Sequence, residues 1–180
     1  MEENLIPAHG GYRDLKSFQT TTIVYDLTVD FCGRFVKDYR MKDQMVQAAR
    51  SGRQNIAEGC QASGTSKKTE LKLIGVACAS LEELLLDFED YLRQRQLVLW
   101  DKAHTEVFKI RKLAYLEDRS YSTYKSYCEK PESAANTAIC LIHQANYLLD
   151  QQLRALERQF MVDGGFTERL YKMRKDTRGY

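Results

Sequence analysis

Proline, cysteine and histidine are scarce in this 180-residue sequence, and none is arranged for structural or metal chemistry. The two prolines are Pro7 and Pro131, and no strand-like alternation persists long enough to compete with the helical periodicity, so a sheet-based fold is excluded. The five cysteines (Cys32, Cys60, Cys78, Cys128, Cys140) are odd in number and scattered, and they never form Cys-x-x-Cys. That excludes a disulfide framework and a cysteine zinc site. His9, His104 and His143 lie on different segments, with no His-x-x-x-His spacing. A di-iron bundle needs inward Glu-x-x-His pairs on two helices, and the nearest approach is Asp101-x-x-His104. The Gly-Lys-Ser/Thr phosphate loop, the dinucleotide fingerprint and the Gly-x-Ser-x-Gly elbow are also missing. No catalytic residue, metal or cofactor is expected. No apolar run approaches the roughly 20 residues of a membrane span, and the start Met-Glu-Glu-Asn-Leu-Ile-Pro has no basic region followed by an apolar run. A soluble cytoplasmic protein without membrane contact is expected.

What is present is helical periodicity. A chain that is 43% hydrophobic and 29% charged has a globular composition and one domain's length, enough to bury roughly 70% of its unfolded surface. Val24, Leu27, Phe31 and Phe35 form one stripe between Ser17 and Tyr39. Met45, Ala49, Gly52 and Ile56 form another between Asp43 and Cys60, where small residues allow close helix approach. After the break Ala62-Ser63-Gly64-Thr65-Ser66, a third helix reaches Arg95 and carries Leu71, Ile74, Cys78, Leu81, Leu85, Phe88 and Leu92, with Leu73, Ala77, Leu84 and Tyr91 widening the arc. Asp101 is expected to cap a shorter run to Leu116, and Tyr121, Tyr124 and Tyr127 mark the connection that follows. Pro131 opens the last long helix, with Ala135, Ile139, Ile142, Asn146, Leu149, Leu153, Leu156 and Phe160 inward. Gly164-Gly165 stops it, and one or two helical turns are expected around Leu170. The fold expected is all-α: an antiparallel up-down four-helix bundle over 17–163, preceded by an irregular leader (1–16) and followed by a short basic suffix (164–180).

A net charge of +2 does not announce a nucleic-acid binder, but the charges are unevenly placed. From Arg34 to Lys72 nine basic residues face four acidic ones. Lys67 and Lys68 open the third helix, where cations oppose the helix dipole, so stability does not explain them. Amide hydrogens, dipole and lysines together suit a phosphate. Arg50 and Arg53, one turn apart, with Lys67, Lys68 and Lys72 make a candidate basic band, and Arg169, Lys172, Arg174 and Lys175 a second basic element. The alternative is ordinary solvation and surface salt bridging, with Glu70 offsetting the lysines. Glu83, Asp87 and Asp90 share a helix face, either solvated or complementary to a basic protein partner. Asn55, Glu58 and Asn146 are candidate polar groups at helix crossings. The tyrosines can stack on unpaired bases or pack on the bundle, and Trp100 reads as an anchor at a bundle end.

Several segments look familiar together. They are Tyr25-Asp26-Leu27-Thr28 to Phe35, then Ala49-Arg50-Ser51-Gly52-Arg53-Gln54-Asn55-Ile56-Ala57-Glu58-Gly59, then Lys68-Thr69-Glu70-Leu71 through Leu81-Glu82-Glu83-Leu84. The chain resembles a four-helix-bundle family that includes proteins encoded in intervening sequences of large-subunit ribosomal RNA genes and the accessory variability proteins of diversity-generating retroelements. Asn-Ile-x-Glu-Gly followed by Ser-Leu-Glu-Glu on the next helix carries the likeness. The ending, Ala135-Asn136-Thr137-Ala138 through Leu148-Leu149-Asp150 to Gly164-Gly165-Phe166-Thr167-Glu168, is similar to the subgroup with a C-terminal suffix. The resemblance implies a bacterial, non-enzymatic homo-oligomeric ring, a pentamer in the accessory relatives, that binds RNA or DNA and docks a reverse transcriptase. The expected function is therefore that of an oligomeric nucleic-acid-binding accessory protein with sequence-independent phosphate contacts. The alternatives are a protein-interaction scaffold using the acidic face, and a bundle with a small-molecule or metal site between its helices.

Overall fold

Each long apolar stripe becomes a helix in the computed structural model, which describes Ile6 and residues 9–178. The elements are α1 (Lys16–Phe35), α2 (Tyr39–Ala62), α3 (Lys67–Gln94), α4 (Thr105–Leu113), α5 (Tyr121–Tyr124), α6 (Pro131–Asp163) and α7 (Phe166–Arg178), with 3-10 turns at Tyr12–Asp14 and Lys125–Cys128. Among the described residues there is no strand, and no helix is long and apolar enough to cross a membrane. Of the leader, residues 1–5, 7 and 8, including Pro7, lie outside the described residues, as do Gly179 and Tyr180 of the suffix. The remainder of the leader is tied down: Gly10 N donates to Cys60 O, and the 3-10 turn leads directly into α1.

Local chemistry moves three helix boundaries from their expected places. Val36 and Asp38 take extended backbone, and Asp38 Oδ1 caps α2 by accepting from Met41 N at 2.8 Å. The first helix therefore stops at Phe35, short of Tyr39, and the second starts there. Asp101 does not cap α4: its carboxylate closes the preceding turn on Ala103 N at 2.8 Å, and His104 Nδ1 takes the cap position, accepting from Glu106 N at 3.3 Å. The suffix forms the whole of α7, because Gly164 ends α6 at φ 67° and Glu168 reaches back to accept from Gly165 N at 2.8 Å.

The four long helices pack in sequence around one core: α1 lies on α2 and α6, and α3 lies on α2 and α6. Phe31 is at the centre, with Phe35, Phe88 and Tyr91 arranged edge-on around it at 5.4, 5.0 and 4.7 Å. Cys32 and Met45 bring the end of α1 to the start of α2, and Ser51 and Ser80 share a hydrogen bond of 2.9 Å between α2 and α3. Asn55 Nδ2 joins that polar crossing by donating to Ser51 Oγ at 3.1 Å, while Glu58 faces solvent. Ser17 meets Gln152 at 2.9 Å, so α6 beyond that point has outrun the start of α1. This is why Leu149 is buried but Leu153, Leu156 and Phe160 are only half-buried.

Gly52 gives the closest helix approach. A Cβ there would sit 2.9 Å from Leu81 Cδ2 and 3.6 Å from the Ala77 carbonyl, and Leu81 is fully buried. Gly52→Val should destabilise by about 1–3 kcal/mol through overpacking, against a small helix-propensity gain. A melting temperature lowered by roughly 2–12 °C is expected, and a value equal to wild type would mean the α2–α3 packing is looser than described.

The connection between α3 and α6 is held by polar side chains that have no periodic signature. Asn136, 2% exposed, accepts from Trp100 N at 2.7 Å and donates to Val98 O at 2.8 Å, pinning the kink to α6. Trp100 in turn stacks on His104, with ring centroids 4.5 Å apart. Arg34 donates to the carbonyls of Cys128 and Glu129 as well as to Asp30, and Arg119 donates to Thr20 Oγ1 at 2.8 Å. Tyr124 is fully buried and Tyr121 and Tyr127 pack against the core, so these three rings are taken up by packing, whereas Tyr115 in the same connection is exposed.

Candidate nucleic-acid interface

The cations of α2 and α3 divide into committed and free side chains. Ser66 Oγ caps α3 by accepting from Thr69 N at 3.2 Å, which sets Lys67 and Lys68 in the first turn. Lys67 Nζ lies 3.1 Å from Glu70 Oε2, and Glu70 is 4% exposed. Burial pushes the Glu70 carboxyl above its ordinary range and Lys67 pulls it back down. Lys67 is thus the partner of a buried acid, and its structural role accounts for its position at the helix start. Arg53 lies over the Tyr25 ring at 4.5 Å, which turns it toward α1. Arg50, Lys68 and Lys72 are exposed, with no ion pair or hydrogen bond among the described residues.

A single continuous band does not form from these five residues. Gly52 lies against Leu81 and Gly59 against Glu70 and Leu73, so Arg50 and Arg53 stand level with the middle of α3. The Lys67 to Lys72 turn stands level with the end of α2, roughly 9–20 Å away along the axis at 1.5 Å per residue. The periodicity of each helix separately could not reveal this offset, which depends on the register between them. The result is two basic patches.

Of the second element, Lys172, Arg174 and Lys175 are exposed and unpaired among the described residues, whereas Arg169 is half-buried with its Nε turned away from solvent and unbonded. Arg174 and Lys175 share one face of α7 with Thr167, Leu170, Tyr171 and Arg178. Tyr171 and Arg178 are additions to the candidate residues, although Arg178 is already visible in the sequence as one of the five basic residues after Thr167. Their spacing of i, i+3, i+4 and i+7 with Arg174 and Lys175 is the signal in the sequence, and it emerges only when α7 runs its full length instead of one or two turns.

The acidic face is less available than its spacing suggests. Glu83 is exposed, but Asp90 accepts from Arg93 Nη2 at 2.7 Å. Asp87 is half-buried, and its Oδ2 has no partner among the described residues. Burial, then Glu83 and Asp90, raise the Asp87 pKa. A carboxyl whose folded pKa is raised binds its proton more tightly in the folded state, so it subtracts stability as pH rises from the ordinary carboxylate range through the folded value. Asp87→Asn should therefore increase stability at neutral pH and flatten the gain expected of wild type on moving from neutral to a mildly acidic pH, a gain to which Glu70 adds with the same sign. Urea unfolding at the two pH values checks this, and a variant less stable than wild type at neutral pH would refute it. Asn146 lies within the α6 stripe, but its Oδ1 is buried with no partner among the described residues, so it makes no polar crossing of the kind Asn55 joins.

Among the described residues no three His, Cys, Asp or Glu side chains gather as metal ligands. A groove of about 290 Å³ lies between the kink, α4 and α6, lined by residues that include Trp100, Arg111, Cys140 and His143. Burial pushes the Cys140 thiol up, and Arg111 lowers it. No family model, curated protein or solved structure matches the chain.

Proposed function

We propose that the chain is a non-enzymatic, homo-oligomeric accessory protein of the cytoplasm that binds RNA or DNA through backbone phosphates. The observation that carries this reading is the state of its cations. Arg50, Lys68, Lys72, Lys172, Arg174 and Lys175 are exposed and have no carboxylate partner among the described residues, unlike Arg34, Lys67, Arg93 and Lys109, which are paired. Free surface cations raise the local counter-charge that phosphates replace. The acidic-face scaffold is the weaker reading, since Asp87 is half-buried and Asp90 is already paired.

The finer architecture proposed is an antiparallel up-down four-helix bundle formed by α1, α2, α3 and α6. It is supported by the approach of Cys32 to Met45, Gly52 to Leu81, Gly59 to Glu70, and Ser17 to Gln152, each joining late residues of one helix to early ones of another or mid-points to mid-points. The resemblance to the intervening-sequence and accessory variability proteins supports bacterial origin, a ring of five copies and a reverse transcriptase as partner. Val76, Ala79 and Leu86 on α3 are among the exposed apolar residues that such a ring could cover.

Titrating a labelled single-stranded RNA across a salt series tests the proposal. If the six free cations all engage, log K should fall linearly with log salt with a slope of about −4, at about 0.7 per phosphate. Absence of binding at low salt to this RNA and to DNA and duplex probes alike would reject the nucleic-acid role.

A further inference from the structure

The suffix helix α7 has no fully buried residue: Phe166, Arg169, Leu170 and Met173 are half-buried, and no core packing explains the side chains of its exposed face. Thr167, Leu170, Tyr171, Arg174, Lys175 and Arg178 lie together along one face of this single helix. At 100° per residue these positions share one side of the helix, whereas Asp176 projects from the other. Glu168 is engaged in capping Gly165 N at 2.8 Å. Among the described residues no carboxylate shares this face, and Arg174, Lys175 and Arg178 have no ion pair or hydrogen bond. Tyr171 stands beside these three cations with 71% of its surface exposed, although an aromatic ring with no partner gains nothing from water.

From this juxtaposition we infer that this face of α7 is a binding site for single-stranded nucleic acid, with Tyr171 stacking on an unpaired base and Arg174, Lys175 and Arg178 holding the flanking phosphates. The inference rests on the proposed function and deepens it. A duplex keeps its base faces within the stack, so a free phenol ring between cations suits an unpaired strand. A lipid surface fits less well. Phe166, Leu170 and Met173, the apolar members of α7, are half-buried, leaving no open apolar face to enter a bilayer.

The test uses the full chain and fluorescence anisotropy with three probes of about 12 nucleotides per strand: oligouridine, oligothymidine and a mixed-sequence RNA duplex. Tyr171→Ala is expected to weaken single-strand binding at least about fivefold, leave duplex binding unchanged and keep the salt slope, since no cation is removed. Tyr171→Phe should retain wild-type affinity. Arg174→Glu with Lys175→Glu should lower the single-strand salt slope by about 1.4. A weakening on either single strand supports the site and identifies its sugar. Binding that persists on all probes and is unaffected by Tyr171→Ala overturns the site while the proposed function stands. If wild type binds none of the probes, both readings fall.

Discussion

Phe31→Ala is expected to lower stability by about 3–5 kcal/mol, the largest effect of any single side chain in the core. Phe31 is 1% exposed and supports three other rings, two of them on α3 and one on its own helix. Truncation removes the transfer energy of a phenyl group and leaves a cavity whose walls are rings anchored on separate helices. Such walls cannot collapse together without shifting α1 against α3. For a chain of this length the melting temperature should fall by roughly 6–20 °C. Phe35→Ala is the internal comparison: Phe35 is half-buried at the helix end and should cost clearly less. Equal destabilisation by the two variants would mean that the ring cluster is not the centre of the core.

Reversing Arg50, Lys68 and Lys72 together should have the largest effect on binding. With Arg50→Glu, Lys68→Glu and Lys72→Glu combined, the salt slope on single-stranded RNA is expected to drop by about 2, and affinity at 0.1 M salt to fall about a hundredfold. The magnitude follows from the slope: at 0.1 M salt, each phosphate that a cation no longer neutralises weakens binding about fivefold. Folding should be unaffected, because all three side chains are exposed and unpaired. Since the register of α2 on α3 separates Arg50 from the two lysines, the single Arg50 variant and the Lys68/Lys72 double variant should contribute independently. Unchanged affinity and slope in the triple variant would move the binding surface elsewhere on the molecule.

The all-helical character is legible in the sequence because it depends on periodicity, and periodicity is local. Met45, Ala49, Gly52 and Ile56 are all buried, as are Ile74, Leu81, Leu85, Phe88 and Leu92, as their three-four spacing implies. Asp38, His104 and Glu168 set helix ends by single hydrogen bonds, and several residues nearby are equally suitable caps, so boundaries shift by a turn. Arg34, Arg119 and Asn136 carry no local signal. Each is defined by carbonyls or hydroxyls far along the chain that only the folded arrangement brings close. The same limit applies to the basic band. Most of its residues are exposed, as charge and spacing imply, but the pairing of Lys67 with Glu70, the stacking of Arg53 on Tyr25 and the axial offset of the two patches all depend on tertiary placement. Asp87 illustrates the reverse case: a helical wheel places it on an acidic face, yet it is half-buried, with one oxygen unpartnered among the described residues.

The central claim is that this bundle assembles with itself and carries nucleic acid electrostatically. Light-scattering mass of the purified protein at low and high salt, with the 260-to-280 nm absorbance ratio recorded across the same peak, tests both parts in one experiment. The account predicts an oligomer that persists at both salts, with a nucleic-acid absorbance ratio at low salt that falls to a protein ratio at high salt. A monomer with a protein ratio at both salts would contradict it.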